Sequence, residues 1–130
     1  MDKVLKVNAK SYEEQLKERY GNSGLDQCIE IIVPGTINVS TIIDTSEYAK
    51  ETAVEMCKIF GGATIKYGDG LWLSNDIIME PNKIVSSNCT KKDLDVNISK
   101  VFKICSELRR KLNQECIALS VNGVMYYEFN

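Results

Sequence analysis

The stretch FGGATIKYGDGLW, residues 60–72, sets four glycines, an aspartate and the chain's only tryptophan within thirteen positions. Glycines at this density serve phosphate cradles, catalytic turns or plain tight bends, and the residues around them discriminate. No Gly-Lys-Ser/Thr follows at the Walker spacing, and there is no G-x-G-x-x-G. Gly61-Gly62 also follows a helical pattern, whereas phosphate cradles precede a helix and use its amino end. The pair reads as a helix cap, and Gly68-Asp69-Gly70 as the bend of a hairpin. The functional alternative has Thr64, Asp69 and Trp72 bordering a pocket, with the glycines allowing close approach.

Three further groups carry chemistry. Two of the chain's three arginines are adjacent, Arg109-Arg110. At the end of a helix they complement its dipole, and a guanidinium there also suits a carboxylate or phosphate across a boundary. Glu80-Pro81 puts a carboxylate beside a chain distortion, within pairing reach of Lys66 or Lys83, or free to act as a lone general base. Tyr126 and Tyr127 suit cross-strand packing or stacking on a planar ligand. The chain has no histidine, which removes serine–histidine and cysteine–histidine catalysis and histidine metal sites. No motif calls for a cofactor or a metal.

The elements that position these residues follow from periodicity. Residues 10–20 carry Tyr12, Leu16 and Tyr20 at i, i+4, i+8, a helix suited to a surface or another subunit. GNSGLDQ breaks it. CIEIIVPG is a strand stopped by Pro34-Gly35, and Asp44 with Glu47 heads a helix as an aspartate variant of the capping box. That helix keeps Ala49, Ala53, Met56 or Cys57, and Phe60 on one face. After the glycine-rich stretch, IIMEPNKIVSSN is extended, and Pro81 marks a bulge or an edge. Thr90 with Asp93 starts a second helix, with Leu94, Ile98, Val101, Phe102, Cys105, Leu108 and Leu112 as its apolar stripe. CIALSVNGVMYYEF is two strands joined by Asn122-Gly123, the favoured pair of a type I′ turn.

The order β-α-β-β-α-β gives a ferredoxin-like α+β domain over residues 28–130: an antiparallel sheet with two helices on one face, an extra C-terminal hairpin strand, and an N-terminal helical appendage over residues 1–27. A length of 130 residues, with 44% apolar and 26% charged, supports one such core. A net charge of −2 argues against general nucleic-acid binding. No apolar run reaches membrane-spanning length. Five cysteines without a C-x-x-C pair indicate a reducing cytoplasm, with Cys57 and Cys105 as small buried hydrophobes.

The set FGGAT, Gly70-x-Trp72, Glu80-Pro81 and LNQECIALSV resembles a group of small bacterial and phage proteins. In these a helix ends in Phe-Gly-Gly, a strand carries G-x-W, another carries glutamate, and Gln-Glu precedes the last strand. The resemblance covers about residues 28 to 130 and implies the same ferredoxin-like order. By analogy with small phage proteins that sequester nucleotide signals or inhibit defence proteins, it suggests a sponge or an inhibitor. The expectation is therefore a non-catalytic, homo-oligomeric cytoplasmic binding protein for a small anionic ligand such as a nucleotide, or for a protein partner. Its ligand residues would be Trp72, Arg109 and Arg110, with Thr64 and Glu80 as lesser members. The alternatives are a small ferredoxin-fold enzyme using Glu80, Asp69 or a tyrosine for acid–base chemistry, and an inhibitory partner docking through residues 1–27.

Overall fold

The computed structural model describes residues 9–129; the first eight residues of the expected appendage lie outside the described residues. Helix α1 (Tyr12–Tyr20) starts where Ser11 accepts a hydrogen bond from the Glu14 amide at 3.1 Å, and it ends at Gly21 with φ 63°. Six residues later β1 begins (Gln27–Pro34). A small hairpin, β2 (Thr36–Ile37) and β3 (Thr41–Ile42), leads into α2 (Ser46–Phe60). Then come β4 (Thr64–Leu73), β5 (Ile77–Cys89), α3 (Lys91–Leu112), β6 (Ile117–Val121) and β7 (Val124–Glu128).

The five long strands form one antiparallel sheet in the order β4-β5-β1-β6-β7. This is the expected ferredoxin-like arrangement with β7 added at one edge. Because side chains alternate across a strand, β1 sends Ile29, Ile31 and Val33 to one face, all fully buried. There they meet Val85 and Cys89 of β5, Leu119 of β6, Ala49 and Met56 of α2, and Val101, Ile104, Cys105, Leu108 and Leu112 of α3. Both long helices lie on that face. Among the described residues the other face carries no helix.

Local chemistry sets the element ends. Thr90 accepts from the Asp93 amide at 3.2 Å and caps α3, as its sequence indicates. Gly61 closes α2 at φ 91°, and Asn122-Gly123 turns β6 into β7 with φ 52° and 83°. The start of α2 differs from expectation by one residue. Thr45 is its cap, with no side-chain capping bond, because the Thr45 hydroxyl instead accepts from the buried Lys83 ammonium at 3.2 Å. Asp44 serves the helix from one position further out, accepting from the Ser46 amide at 2.9 Å. Cys105 is buried as expected but Cys57 is exposed. Met56 takes the core position on α2, and the next residue lies about 100° round the helix.

Gly68-Asp69-Gly70 is not a bend. It runs through the middle of β4, opposite Asn82, Pro81 and Glu80 of β5, and the chain turns later at residues 74–76, where the Ser74 amide donates to the Asp76 carbonyl at 2.9 Å. Pro81 makes no bulge, since the β4–β5 register is unbroken from Thr64↔Ser86 to Leu73↔Ile77. It sits just past Pro34↔Asn82, the last pair of β1 with β5, where an absent N–H costs no ladder bond to β1. At that point the chain leaving β1 hugs β5: a Cβ on Gly35 would come within 2.1 Å of the Pro81 carbonyl oxygen.

Two substitutions test this region in opposite directions. Gly35→Ala forces backbone apart and lowers stability by about 1–3 kcal/mol. Val39, at the tip of the β2–β3 hairpin, holds φ 71°, a left-handed conformation that costs a β-branched residue about 1–2 kcal/mol. Val39→Gly is expected to raise the urea midpoint at unchanged slope; a lower midpoint would show that the conformation carries no strain.

Candidate functional site

The helix-free face is built by the alternate residues of each strand. Directly paired residues share a face, so Trp72, Gly70, Gly68, Lys66 and Thr64 of β4 lie with Ile78, Glu80, Asn82, Ile84 and Ser86 of β5. Opposite Glu80 and Asn82 the β4 positions are glycines. Without side chains there, the sheet surface sinks into a trough. Trp72, diagonal to Glu80, stands at one end of it and is 46% exposed. The Asn82 amide lies across its floor: a Cβ on Gly70 would meet the Asn82 nitrogen at 2.6 Å, and one on Gly68 the Asn82 oxygen at 3.5 Å. The glycines of the opening motif are thus needed on a strand, where they make room for the Asn82 side chain beside Glu80.

Glu80 is half-buried, and its carboxyl is pushed above the ordinary glutamate value, chiefly by burial; a hydrogen bond from the Thr36 hydroxyl works in the other direction. Neither lysine that the sequence offered pairs with it. Lys66 lies 3.7 Å from Glu30, and Lys83 lies 3.2 Å from the Thr45 hydroxyl and 3.8 Å from Asp44. Glu80 is held instead by the neutral Thr36 hydroxyl, at the head of a chain of hydrogen bonds. Thr36 is only 2% exposed. The Gln114 side-chain amide donates to its carbonyl at 3.0 Å and to its hydroxyl at 3.2 Å. The carbonyl of Gln114 accepts from Arg109 Nη1 at 3.2 Å. Since Gln114 donates to the Thr36 oxygen, the hydroxyl proton of Thr36 is left for Glu80.

The structure brings Trp72 and Glu80 together and separates the other expected members. Thr64 lies on the same face but six residues up β4 from Gly70, the partner of Glu80, about 20 Å away. Arg109 is half-buried and two hydrogen bonds behind Thr36, and its Nε is a buried donor with no partner among the described residues. Arg110 is exposed. Asp69 pairs with Pro81 and so faces the other side. Tyr126 and Tyr127 lie on β7, opposite Leu119 and Ala118. Gly35, Thr36, Asn82 and Gln114 went unnoticed as site residues in the sequence; the signal for them was Pro34-Gly35 and the Gln-Glu preceding the last strands.

No protein-family model and no curated relative matches the chain. Two solved structures share its fold. A phage SAM lyase in complex with S-methyl-5'-thioadenosine is 16% identical, with a TM-score of 0.62 over 83% of this chain and 92% of that one. A phage SAM lyase in the apo state is 16% identical, with a TM-score of 0.57 over 80% and 89%. The expectation of a non-catalytic binding protein, sponge or inhibitor is overturned by this likeness, because the matching folds belong to an enzyme; the small-enzyme alternative stands closer to it. The missing histidine had weighed against catalysis in the sequence.

Raised in the folded state, the Glu80 carboxyl contributes stability that is full below the unfolded glutamate value and is lost as pH rises through its folded value. Urea unfolding of the wild type and of Glu80→Gln, followed across about pH 4 to 7, should show the variant losing this decline. A constant difference between the two would contradict the raised value. In Thr36→Val the carboxyl loses its donor, so its titration midpoint, read by carboxyl-carbon NMR, should move further up.

Proposed function

We propose that this protein is a lyase acting on S-adenosylmethionine, with S-methyl-5'-thioadenosine as its nucleoside product. What supports the reading is the half-buried Glu80 above a glycine-floored trough ending in Trp72, on the fold used by a phage SAM lyase. The substrate joins an adenine, a sulfonium and an amino-acid arm. Trp72 offers a stacking surface for the purine. Asn82 offers an amide to hydrogen-bond the nucleoside, and Glu80 a carboxylate for the ammonium of the arm.

The reaction balances without water or cofactor. The bond between sulfur and the terminal carbon of the amino-acid arm breaks, and its electron pair returns to sulfur, which becomes a neutral thioether. The carbon receives a pair from the substrate's own carboxylate, closing a lactone. Removal of a proton from the neighbouring carbon by Glu80 would also balance, but that carbon–hydrogen bond is not acidified by a carbonyl, and a lone carboxylate is a poor base for it. Positive charge disappears from sulfur in the transition state. A carboxylate set against the sulfonium would favour the ground state, so Glu80 belongs at the ammonium end, whose charge persists. The enzyme's contribution is orientation, which suffices for an intramolecular displacement.

The trough lies open in a single chain. On the trough's own face the β4–β5 arm leaves the side chains of Trp72 and Ile78 46% and 40% exposed. A second copy seated on this arm would cover those side chains and exclude water from the trough, so a homo-oligomer is part of the proposal. Its place is a reducing cytoplasm, in keeping with five free cysteines.

Purified protein incubated with S-adenosylmethionine should release S-methyl-5'-thioadenosine and a four-carbon lactone, both read by mass spectrometry. Absence of the thioether with well-folded protein overturns the reading; an unsaturated amino acid in place of the lactone would reassign Glu80 as a base. Glu80→Gln should lower kcat/KM by about 10- to 100-fold, the loss of one charge-assisted hydrogen bond. Trp72, as the single tryptophan, also reports occupancy: its fluorescence should change on addition of S-methyl-5'-thioadenosine.

A further inference from the structure

The trough has a charged end. On β4 the residues facing it run Trp72, Gly70, Gly68, Lys66, so no side chain stands between the tryptophan and the lysine. Their Cα atoms are six residues apart, about 20 Å. Lys66 is a flexible stem beside an open floor, with Asn82 and then Glu80 as the next polar groups along β5.

Lys66 is also the only cation on this face among the described residues of the sheet. The alternate residues of β1, β5, β6 and β7 on the same side include no other lysine or arginine. Lys83, in register with Val33, lies on the helix-covered side. Lys66 Nζ stands 3.7 Å from Glu30 Oε2, with the two side chains 57% and 30% exposed. An ion pair of that length and exposure is worth little, so a ligand can displace it. Glu30 keeps polar neighbours when the lysine swings away, since Ser86 and Ser120 stand directly opposite it on either side.

Charge then matches the substrate proposed above. One lysine against two glutamates, Glu30 and Glu80, gives the face a net charge of −1. S-adenosylmethionine carries two positive centres, its sulfonium and its ammonium, against a single carboxylate. The signs are opposite overall, and the groups also match singly. Glu80 takes the ammonium, and the carboxylate has a single cation on this face to meet. Ammonium and carboxylate are attached to the same carbon, so their two hosts must border the same stretch of floor. Only Gly68 separates Lys66 from Gly70, the partner of Glu80.

On the footing of that reading, we propose that Lys66 leaves Glu30 when ligand enters and holds the carboxylate of the amino-acid arm. With Glu80 it selects a nucleoside that bears a zwitterionic α-amino acid. An ammonium is a point charge without the fork of a guanidinium. It grips one carboxylate oxygen and leaves the other for closing the lactone. Glu30 is the resting partner of Lys66 in the empty trough.

The test reads binding, so it does not depend on turnover. S-adenosylhomocysteine carries the whole arm on a neutral sulfur that does not leave. Its decarboxylated analogue lacks only the carboxylate, and S-methyl-5'-thioadenosine lacks the arm. In calorimetric titrations of the full chain, the first should bind more tightly than the second. Lys66→Met should weaken S-adenosylhomocysteine about 10-fold, the loss of one charge-assisted hydrogen bond at a half-exposed site. It should leave the other two ligands unchanged, which also shows that the variant is folded, and Lys66→Arg should keep the preference. Glu30→Gln, which frees the lysine, should weaken none of the three. The assignment is overturned if Lys66→Met costs S-adenosylhomocysteine nothing, if it costs all three ligands equally, or if Glu30→Gln costs as much. In those cases binding of S-methyl-5'-thioadenosine by the wild type leaves the proposed activity standing. A wild type that binds none of the three removes that activity and this assignment together.

Discussion

The arrangement depends on covering the sheet from one side only. Ile29, Ile31 and Val33 of the central strand are completely buried against α2 and α3. The period of two then delivers Cys28, Glu30, Ile32 and Pro34 to the opposite face. That face is not an apolar core, because among the described residues no helix lies over it. It is furnished with small and polar side chains at its centre, among them Ser86 and Ser120, each with only a few per cent of its surface exposed. A one-sided core thus produces a broad semi-polar platform as a geometric by-product, and the trough is cut into it.

Precision at the trough comes from backbone proximity. Gly35 lets the chain leaving β1 press against Pro81, and the next residue, Thr36, then arrives beside Glu80. Behind Thr36 stand Gln114 and Arg109, contributed by the end of α3 and the turn that follows it. The carboxylate is therefore oriented by three elements that are remote in sequence. Its environment pulls in two directions: burial raises the carboxyl and the Thr36 hydroxyl steadies the anion. With both lysines committed elsewhere, Glu80 is free to receive a cationic group from a ligand without breaking an internal ion pair.

Much of the fold was legible in the sequence because it is written locally. Caps such as Thr90 with Asp93, the Asn122-Gly123 turn and the stripe of α3 are short-range signals that tertiary structure had no reason to override. The site was less legible because its determinants are long-range. Gly68-Asp69-Gly70 has the composition of a turn, and only the register with Asn82 and Glu80 shows why glycine belongs on a strand there. Thr36 has no pattern of its own; its role comes from contact with residues 80 and 114. The arginine pair looked like one unit, yet a single step round the helix leaves Arg109 inside and Arg110 in water.

The absence of histidine shows how composition bears on chemistry. It does exclude the reactions in which an imidazole carries the proton at neutral pH. It says little about a substrate that brings its own leaving group and its own nucleophile. In the proposed reaction, where sulfonium and carboxylate lie on one molecule, the barrier is mainly one of conformation, and a stacking ring, an amide and one anchored carboxylate would supply the orientation needed. Such a site needs rigid placement more than reactive side chains. That is the kind of site a glycine-floored strand pair, braced through Thr36, Gln114 and Arg109, is suited to form.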